Sequence, residues 1–600
     1  MKVSDYIVNF FTKNNIDTVF SITGGFSMHL NDSFDKNKKY NIYYQHHEQA
    51  CGYSAIGYSK TILKPSIVCT TAGCAATNVI TPCLVAYQDS VPIIFISGQV
   101  KSNETITYIN KNNINLRHYS GADCDIIDCV KNITKYSKEI SDVKDLKNIL
   151  IEAYSNLING RPGPVWLSIP VDIQGMIIDD FDLDIPIINI SNSATASASI
   201  KKNINCNEFE PIYKLLIESK RPLIIAGNGI KISNSICKFN KFIEKYKIPV
   251  VVTILGTDII ETDNELYSGK IGLIGDRHGN FTLQNCDLII SLGCRLAQGV
   301  VGYRSDWFAR EAKIIYIDND EEELKKENIN YTLKIKMDLN VFFDNFNCDT
   351  CIKHDWIDKC NHWKNKWIFE TPSYIDDDSN GINPYLTLKY LYNLDSTEKI
   401  SICSAGSIVT NLWHMIKINH GDKFLTSSQG DMGFELPAAI GAQIAEPKKN
   451  VISIIGDGSF QLNLQELQTI VHHKLPIKII IFNNGGYGAI KITQTNFFKN
   501  ITGTDTNSGI SFPETKKIAY AYGIKYLFVN NNNDLENKIL EFLNTKETVI
   551  LEVISSTQVR YPKLNAIKNK NGDFENRPFE DMEPFLSRDE FINEMIVDII

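Results

Sequence analysis

The chain has 600 residues, 43% of them hydrophobic, and carries 61 basic against 70 acidic side chains for a net charge of −9. That length and apolar content allow two to four domains with real cores, and the acidic balance, with no lysine/arginine cluster, argues against a general nucleic-acid binder. Met1–Phe11 carries Asp5 and lacks the long apolar core of a secretory signal, and no apolar stretch reaches the ~18 residues that span a bilayer, so a soluble, cytoplasmic protein with no membrane partner is expected.

Residues 1–180 alternate helical and strand patterns. Val3–Lys13 is amphipathic; Thr18–Ile22 reads as a strand ending in Thr23-Gly24-Gly25, Ile42–Gln45 as a strand ending in His46-His47-Glu48, and Ser66–Thr70 as a strand before Thr71-Ala72-Gly73-Cys74-Ala75-Ala76-Thr77-Asn78. A helix is predicted from near Gln49, through Gly52 and Gly57. Strands alternating with helices predict a doubly wound parallel sheet whose ligands lie beyond the carboxyl ends of the strands. Three loops fall on that edge, and Glu48 is the carboxylate among them. By itself it reads as a charge complementing a helix dipole.

Ser191–Ser199, nearly all serine and alanine, is a small-residue linker. Residues 205–345 then form a second α/β segment, with strands at Pro222–Ala226 before Gly227-Asn228-Gly229, Leu288–Leu292 before Gly293, and Ile314–Ile317 before Asp318-Asn319-Asp320. The Gly-Asn-Gly is too short for a dinucleotide fingerprint and predicts a tight strand-to-helix turn. A polar linker is expected over 346–380. Cys348, Cys351, His354, Cys360 and His362 there have zinc-like spacing, weighed against incidental surface thiols, which is the default reading. Most of the 14 cysteines lie in apolar runs, as at Cys69, Cys83 and Cys403, which suits reduced core thiols.

The third segment, 381–565, holds the stretch around which the chain is organised. Ser404-Ala405-Gly406-Ser407 follows a strand, and Ser427-Ser428-Gln429-Gly430-Asp431-Met432-Gly433-Phe434 precedes a helix beginning near Leu436. Val451–Asn484 then opens with a β-branched run, breaks at Gly456-Asp457-Gly458-Ser459, and closes with a second apolar run into Asn483-Asn484. An Asp-Gly pair between apolar runs suggests a hairpin. Leu464, Leu467 and Val471, at i, i+3 and i+7, set a helical period instead, so the unit is strand, turn, helix, strand, a parallel crossover. It brings Asp457 and Asn484, 27 residues apart, to one point. A carboxylate, an amide oxygen and a backbone carbonyl, that of Gly486, make a hard donor set for Mg2+ completed by phosphate oxygens, and the glycines and the helix N-terminus admit the anion.

Gly-Asp-Gly, a 24-residue spacer from Ser459 to Phe482, then Asn-Asn resembles the signature of thiamine diphosphate (ThDP) enzymes, and QLNLQELQTIVHHKLPIKIIIFNNGGYGAI is most similar to the acetolactate synthase branch. The resemblance runs nearly end to end and is strongest over 44–58, 427–442 and 451–490. It implies three doubly wound α/β domains: a pyrimidine-binding domain at 1–180, a middle domain at 205–345, and a diphosphate- and Mg2+-binding domain at 381–565, followed by a tail over 566–600. HHEQACGYSAIGYSK matches the stretch carrying the catalytic glutamate, here Glu48, which promotes the imino form of the cofactor's aminopyrimidine so that it can take the proton from C2. By the same likeness Gly24, Gly25, Thr71, Gly73, Asn78, Gly406, Ser407, Gly430, Met432, Gly456, Asp457, Gly458, Ser459, Asn484, Gly486, Tyr487 and Gly488 bind the cofactor. Met432 bends it, making the proton transfer intramolecular; without the resemblance that methionine reads as core packing.

Some family members hold FAD in the middle domain, and Arg295 and Asp318 match positions that contact it; as bare residues they read as a surface arginine and a turn aspartate. The implied reaction is decarboxylation of a 2-oxo acid such as pyruvate and transfer of the acyl unit to a carbonyl acceptor, by a homodimer or homotetramer whose Glu48 and Asp457 meet across a subunit boundary. A decarboxylase without ligation, a sugar-branching acyltransferase, and a catalytically silent ThDP binder are the alternatives, the last disfavoured by an intact Glu48. The tail resembles that of relatives associated with surface-sugar pathways. Three departures bear on the acceptor: Gly121-Ala122-Asp123 replaces Phe-Gln-Glu, Cys74-Ala75 replaces Pro-Gly, and Thr493 stands where the amino-acid biosynthetic enzymes have tryptophan.

Overall fold

The computed structural model describes residues 1–111, 115–178, 185–188, 209–348, 354–498, 500–557, 561–564, 567–568 and 574–600; the Ser191–Ser199 linker and Cys351 lie outside them. Three six-stranded parallel sheets follow one another along the chain. The first comprises β1 (Thr18–Ser21), β2 (Asn41–Tyr44), β3 (Ser66–Thr70), β4 (Ile93–Gln99), β5 (Tyr136–Glu139) and β6 (Val165–Pro170) in the order 2-1-3-4-6-5. The second comprises β7 (Pro222–Ala226), β8 (Val250–Val252), β9 (Tyr267–Lys270), β10 (Leu288–Leu292), β11 (Lys313–Asp318) and β12 (Leu333–Lys336) in the order 12-11-10-7-8-9. In the third, β13 (Lys399–Ile402), β14 (Lys423–Leu425), β15 (Asn450–Gly456), β16 (Lys478–Asn483), β17 (Lys525–Val529) and β18 (Val549–Ile554) repeat the order of the first, as 14-13-15-16-18-17. Strands such as β3, β4, β6 and β10 are buried throughout, which is why they read as mostly apolar runs interrupted only by small or hydrogen-bonded polar residues.

Around these sheets, α1 (Val3–Lys13), α2 (Glu48–Ile62), α3 (Arg277–Asn285), α4 (His354–Trp367), α5 (Gly406–Met415), α6 (Glu435–Ala445) and α7 (Gly488–Phe497) are the helices that frame the candidate site or brace the domains carrying it. The first and third sheets share one hydrophobic core, running from Phe20 and Tyr53 to Leu436 and Ile481. At its centre α2 and α6 cross backbone to backbone. A Cβ on Gly57 would lie 2.1 Å from Ala438 O, and one on Gly441 would lie 1.9 Å from Ser54 O. Only glycine permits that approach.

The region expected to be a polar linker is instead a buried brace. On α4, Trp356, Trp363 and Trp367 pack into the middle-sheet core, and Cys360, like Cys348, is buried rather than on the surface. Among the described residues no group of three or more His, Cys, Asp or Glu side chains could hold a metal. The carboxy-terminal residues close the same core. Arg277 on α3 pairs with Glu370 and donates to Met582 O and Pro584 O, Arg310 pairs with Glu580, and Glu594 gathers Lys359, Lys366 and the Trp363 indole. No described helix is long and apolar enough to cross a membrane.

Candidate active site

In an open parallel sheet, ligands bind where neighbouring strands send their loops to opposite faces. For the order 2-1-3-4-6-5 that point lies between the first and third strands. In the first sheet it is formed by the loops after β1 and β3, which carry Gly24-Gly25 and Thr71–Asn78; in the third, by the loops after β13 and β15, which carry Ser404–Ser407 and Gly456–Ser459. The shared topology therefore places the two groups of predicted site residues at equivalent points.

At the first point, Gly24 sits directly against Thr71, whose hydroxyl accepts the Phe26 amide at 3.1 Å, and Gly25 is open. Gly73 turns with φ +65° beneath the carbonyl of Ala122. Glu48 is the first residue of α2, one earlier than expected; the His47 side chain caps the helix by accepting the Gln49 amide. Asn78 donates to Glu48 Oε2 at 2.9 Å, which ties the loop after β3 to this carboxylate.

At the second point, β15 and β16 pair in parallel as the crossover requires. Asp457 accepts the Gly458 amide on Oδ1 at 2.9 Å and the Gly486 amide on Oδ2 at 3.0 Å, and burial pushes its carboxyl up to about 6 against the backbone amides that pull it down. Asn484 Oδ1 is buried without a partner, and Gly488 approaches its amide so closely that a Cβ there would lie 2.7 Å from Nδ2. The Tyr487 ring covers Gly458 in the same way. Side chains built on Gly406, Gly456 or Gly485 would meet nothing within 4 Å, and one on Gly430 only Ser404 O at 3.8 Å. Beside this glycine-walled hollow, Ser407 is the second residue of α5 and Met432 is half-buried rather than in the core. A carboxylate, an orphaned amide oxygen and a hollow bounded by bare backbone fit a divalent cation carrying a diphosphate.

Two buried carboxylates that the motif reading passed over organise these loops. Glu435, fully buried, accepts the amides of Ser404 and Ala405 at 3.1 and 2.9 Å and the Ser459 hydroxyl at 2.8 Å; Ser459 in turn accepts the Gly433 amide at 2.8 Å. Glu466, also fully buried, accepts the His46 amide at 3.1 Å. Burial raises each carboxyl to about 7.

Arg295 and Asp318 stand at the carboxyl ends of β10 and β11 on the wall of a cleft of about 1380 Å3. Arg295 donates to Gln88 O of the first domain, and Asp318 accepts the Asp320 amide. The switch point of this sheet, between β7 and β10, is closed by backbone, with the Gly229 amide donating to Gly293 O at 2.9 Å. The Gly-Asn-Gly is thus the tight turn expected of it.

The N-terminal TPP binding domain, the central domain and the C-terminal TPP binding domain of thiamine pyrophosphate enzymes match residues 1–122, 209–345 and 404–553. The acetolactate synthase large subunit of Cyanidium caldarium is 30% identical over 93% of this chain and 94% of its own length. That of Lactococcus lactis subsp. lactis is 30% identical over 90% of each, and the isozyme 2 large subunit of Escherichia coli is 28% identical over 92% and 95%. The chain therefore belongs to the thiamine pyrophosphate enzymes and is an acetolactate synthase-like member of that family.

Proposed function

We propose that the protein is a ThDP- and Mg2+-dependent carboligase that decarboxylates a 2-oxo acid such as pyruvate and joins the acyl unit to a second carbonyl compound. The observation that carries this reading is the unsatisfied Asn484 Oδ1 beside Asp457, at the switch point of a sheet whose topological twin presents Glu48. Bound ThDP supplies an electron sink for the pair released when CO2 leaves. Asp457, Asn484 and the Gly486 carbonyl would hold the metal, and the amides about Gly406, Ser407 and Gly456–Ser459 would face the phosphates. Met432 supports the cofactor from the protein side. Glu48, steadied through Oε2 by Asn78, holds a proton at the aminopyrimidine ring.

A second copy of the chain completes the site in this reading. Helix α7, immediately after the Asn484–Gly488 loop, has no buried residue and leaves Ile490 and Phe497 exposed, with Phe498 just beyond its end. Exposed apolar side chains beside a catalytic hollow are suited to cover by another subunit, which supports a homodimer or a dimer of dimers. Flavin has less support, because Arg295 and Asp318 are engaged in contacts within the chain; the visible absorbance of the purified protein tests it. Free, buried thiols such as Cys51, Cys83 and Cys403 support a reducing, cytoplasmic setting.

Incubation with pyruvate, Mg2+ and ThDP, alone and with a panel of 2-oxo acid and keto-sugar acceptors, tests the reaction. A condensation product is expected, acetolactate where pyruvate is its own acceptor. Acetaldehyde alone with every acceptor would overturn the reading in favour of simple decarboxylation.

A further inference from the structure

The carboxylate of Glu466 leaves its own helical turn and crosses into the first domain. It accepts the backbone amide of His46, 420 residues away in sequence, at 3.1 Å, and lies 3.5 Å from the side-chain amide of Gln45. The His46 amide is on Oε1, and Oε2, the oxygen nearer Gln45, accepts the Thr469 hydroxyl at 2.6 Å. Three residues earlier, Asn463 Nδ2 reaches the first turn of α2, donating to Gln49 Oε1 at 3.2 Å, and also donates to Gly433 O at 2.8 Å. Glu48 is thus bracketed by two side chains of one short stretch, which also contains Asp457. Through Gly433 the stretch is tied to the loop carrying Met432 as well.

This arrangement is expensive as a packing device. Glu466 is fully buried, and among the described residues no lysine, arginine or histidine side chain hydrogen-bonds its carboxylate. Filling space at the domain contact needs no carboxylate, and an apolar side chain would fill it without the cost of burying a polar group. What the carboxylate provides is direction: an acceptor aimed at an amide two residues before Glu48, in a loop whose capping residue is itself His47.

We propose that Glu466, assisted by Asn463, is a positioning residue that fixes the backbone entering α2 and so sets where the Glu48 carboxyl points. The inference rests on the reading of Glu48 as the proton-holding group. It makes the crossover of the third domain part of both half-sites: Asp457 would face the metal, and Glu466, nine residues on, holds the loop of the catalytic acid.

The test uses the full-length protein with Glu466→Ala, Glu466→Gln, Asn463→Ala and Glu48→Gln. In the protein without cofactor, amide hydrogen exchange over residues 44–50 should quicken roughly tenfold in Glu466→Ala, while β16 keeps its protection. With ThDP and Mg2+ added, calorimetric cofactor affinity should stay within about threefold of the parent while hydrogen–deuterium exchange at the cofactor's C2 slows at least tenfold. Glu466→Gln, which keeps one carbonyl oxygen, should recover part of both losses, and Asn463→Ala should show a milder form of them. Unchanged protection over 44–50, or a loosened loop with full C2 exchange, would overturn the inference. Should Glu466→Ala not fold, the same two measurements on Glu466→Gln and Asn463→Ala decide it. Rapid C2 exchange in Glu48→Gln would instead remove the reading of Glu48 itself, so the two failures are distinct.

Discussion

Asp457 and Gly486, 29 residues apart, are joined by a hydrogen bond of 3.0 Å from the glycine amide to Oδ2. That contact ties the two ends of the crossover together, and two residues before the glycine the Asn484 oxygen is buried without a partner. Replacing Asp457 with alanine removes the one charged donor of the proposed metal set. Mg2+-dependent ThDP binding should weaken by at least about 100-fold, judged against the losses that indirect contacts to a metal already cause. Calorimetric titration checks this, and prolonged dialysis of the parent protein against a chelator should release the cofactor in the same way.

Glu48→Gln keeps the side-chain volume and the hydrogen bond to Asn78 but cannot exchange a proton. Turnover should fall by about 10²- to 10⁴-fold, the range for loss of a general acid–base group, with cofactor affinity nearly unchanged. Steady-state rates compared with calorimetry test the split; full activity would remove the assigned role.

The crossing of α2 and α6 reverses an ordinary rule. In an exposed helix, Gly→Ala stabilises by about 1 kcal/mol. At Gly57 or Gly441 the added carbon meets backbone within 2.1 Å, so each substitution should instead destabilise by roughly 1–3 kcal/mol as overpacking does. Denaturant midpoints of the single variants measure the sign.

Stability should also depend on pH through Glu435 and Glu466. Each has an ordinary value of 4.5 and is raised to about 7 by burial. Between those limits the folded protein holds protons that the unfolded chain has released, so stability falls as pH rises from about 4.5 to 7 and levels off above. Glutamine at each position should reduce this drop by on the order of 2 kcal/mol. Urea unfolding of parent and variants at pH 5 and pH 8, without cofactor, provides the comparison.

Much of this organisation is legible in the sequence, and the reason is local. Parallel strands buried on both faces spell out apolar runs, so β15 and β16 and the turn between them stand out, and the helical spacing of Leu464, Leu467 and Val471 excludes a hairpin. Glu48 is different. A carboxylate at the first position of a helix is commonplace, and only the surrounding motif singles it out. Glu435 and Glu466 escape such a reading because their significance lies in partners brought by other loops; for Glu435 the available signal is an acidic residue flanked by Phe434 and Leu436 at the head of a mostly apolar helix. For α4 the cue is the spacing of Trp356, Trp363 and Trp367 at i, i+7 and i+11, one face of a helix within a charged stretch.

The binding of Arg277 to the carbonyls of Met582 and Pro584 spans 305 and 307 residues. During synthesis the strands of the middle sheet leave the ribosome well before the segment that seals α3 and α4, and domains generally fold as units in the order they emerge. Here that order is broken. The middle portion lacks the Phe591 ring on Phe281 and the Glu594 carboxylate on the Trp363 indole until the last residues arrive, so a message cut short near its end yields a chain whose central third is left partly open.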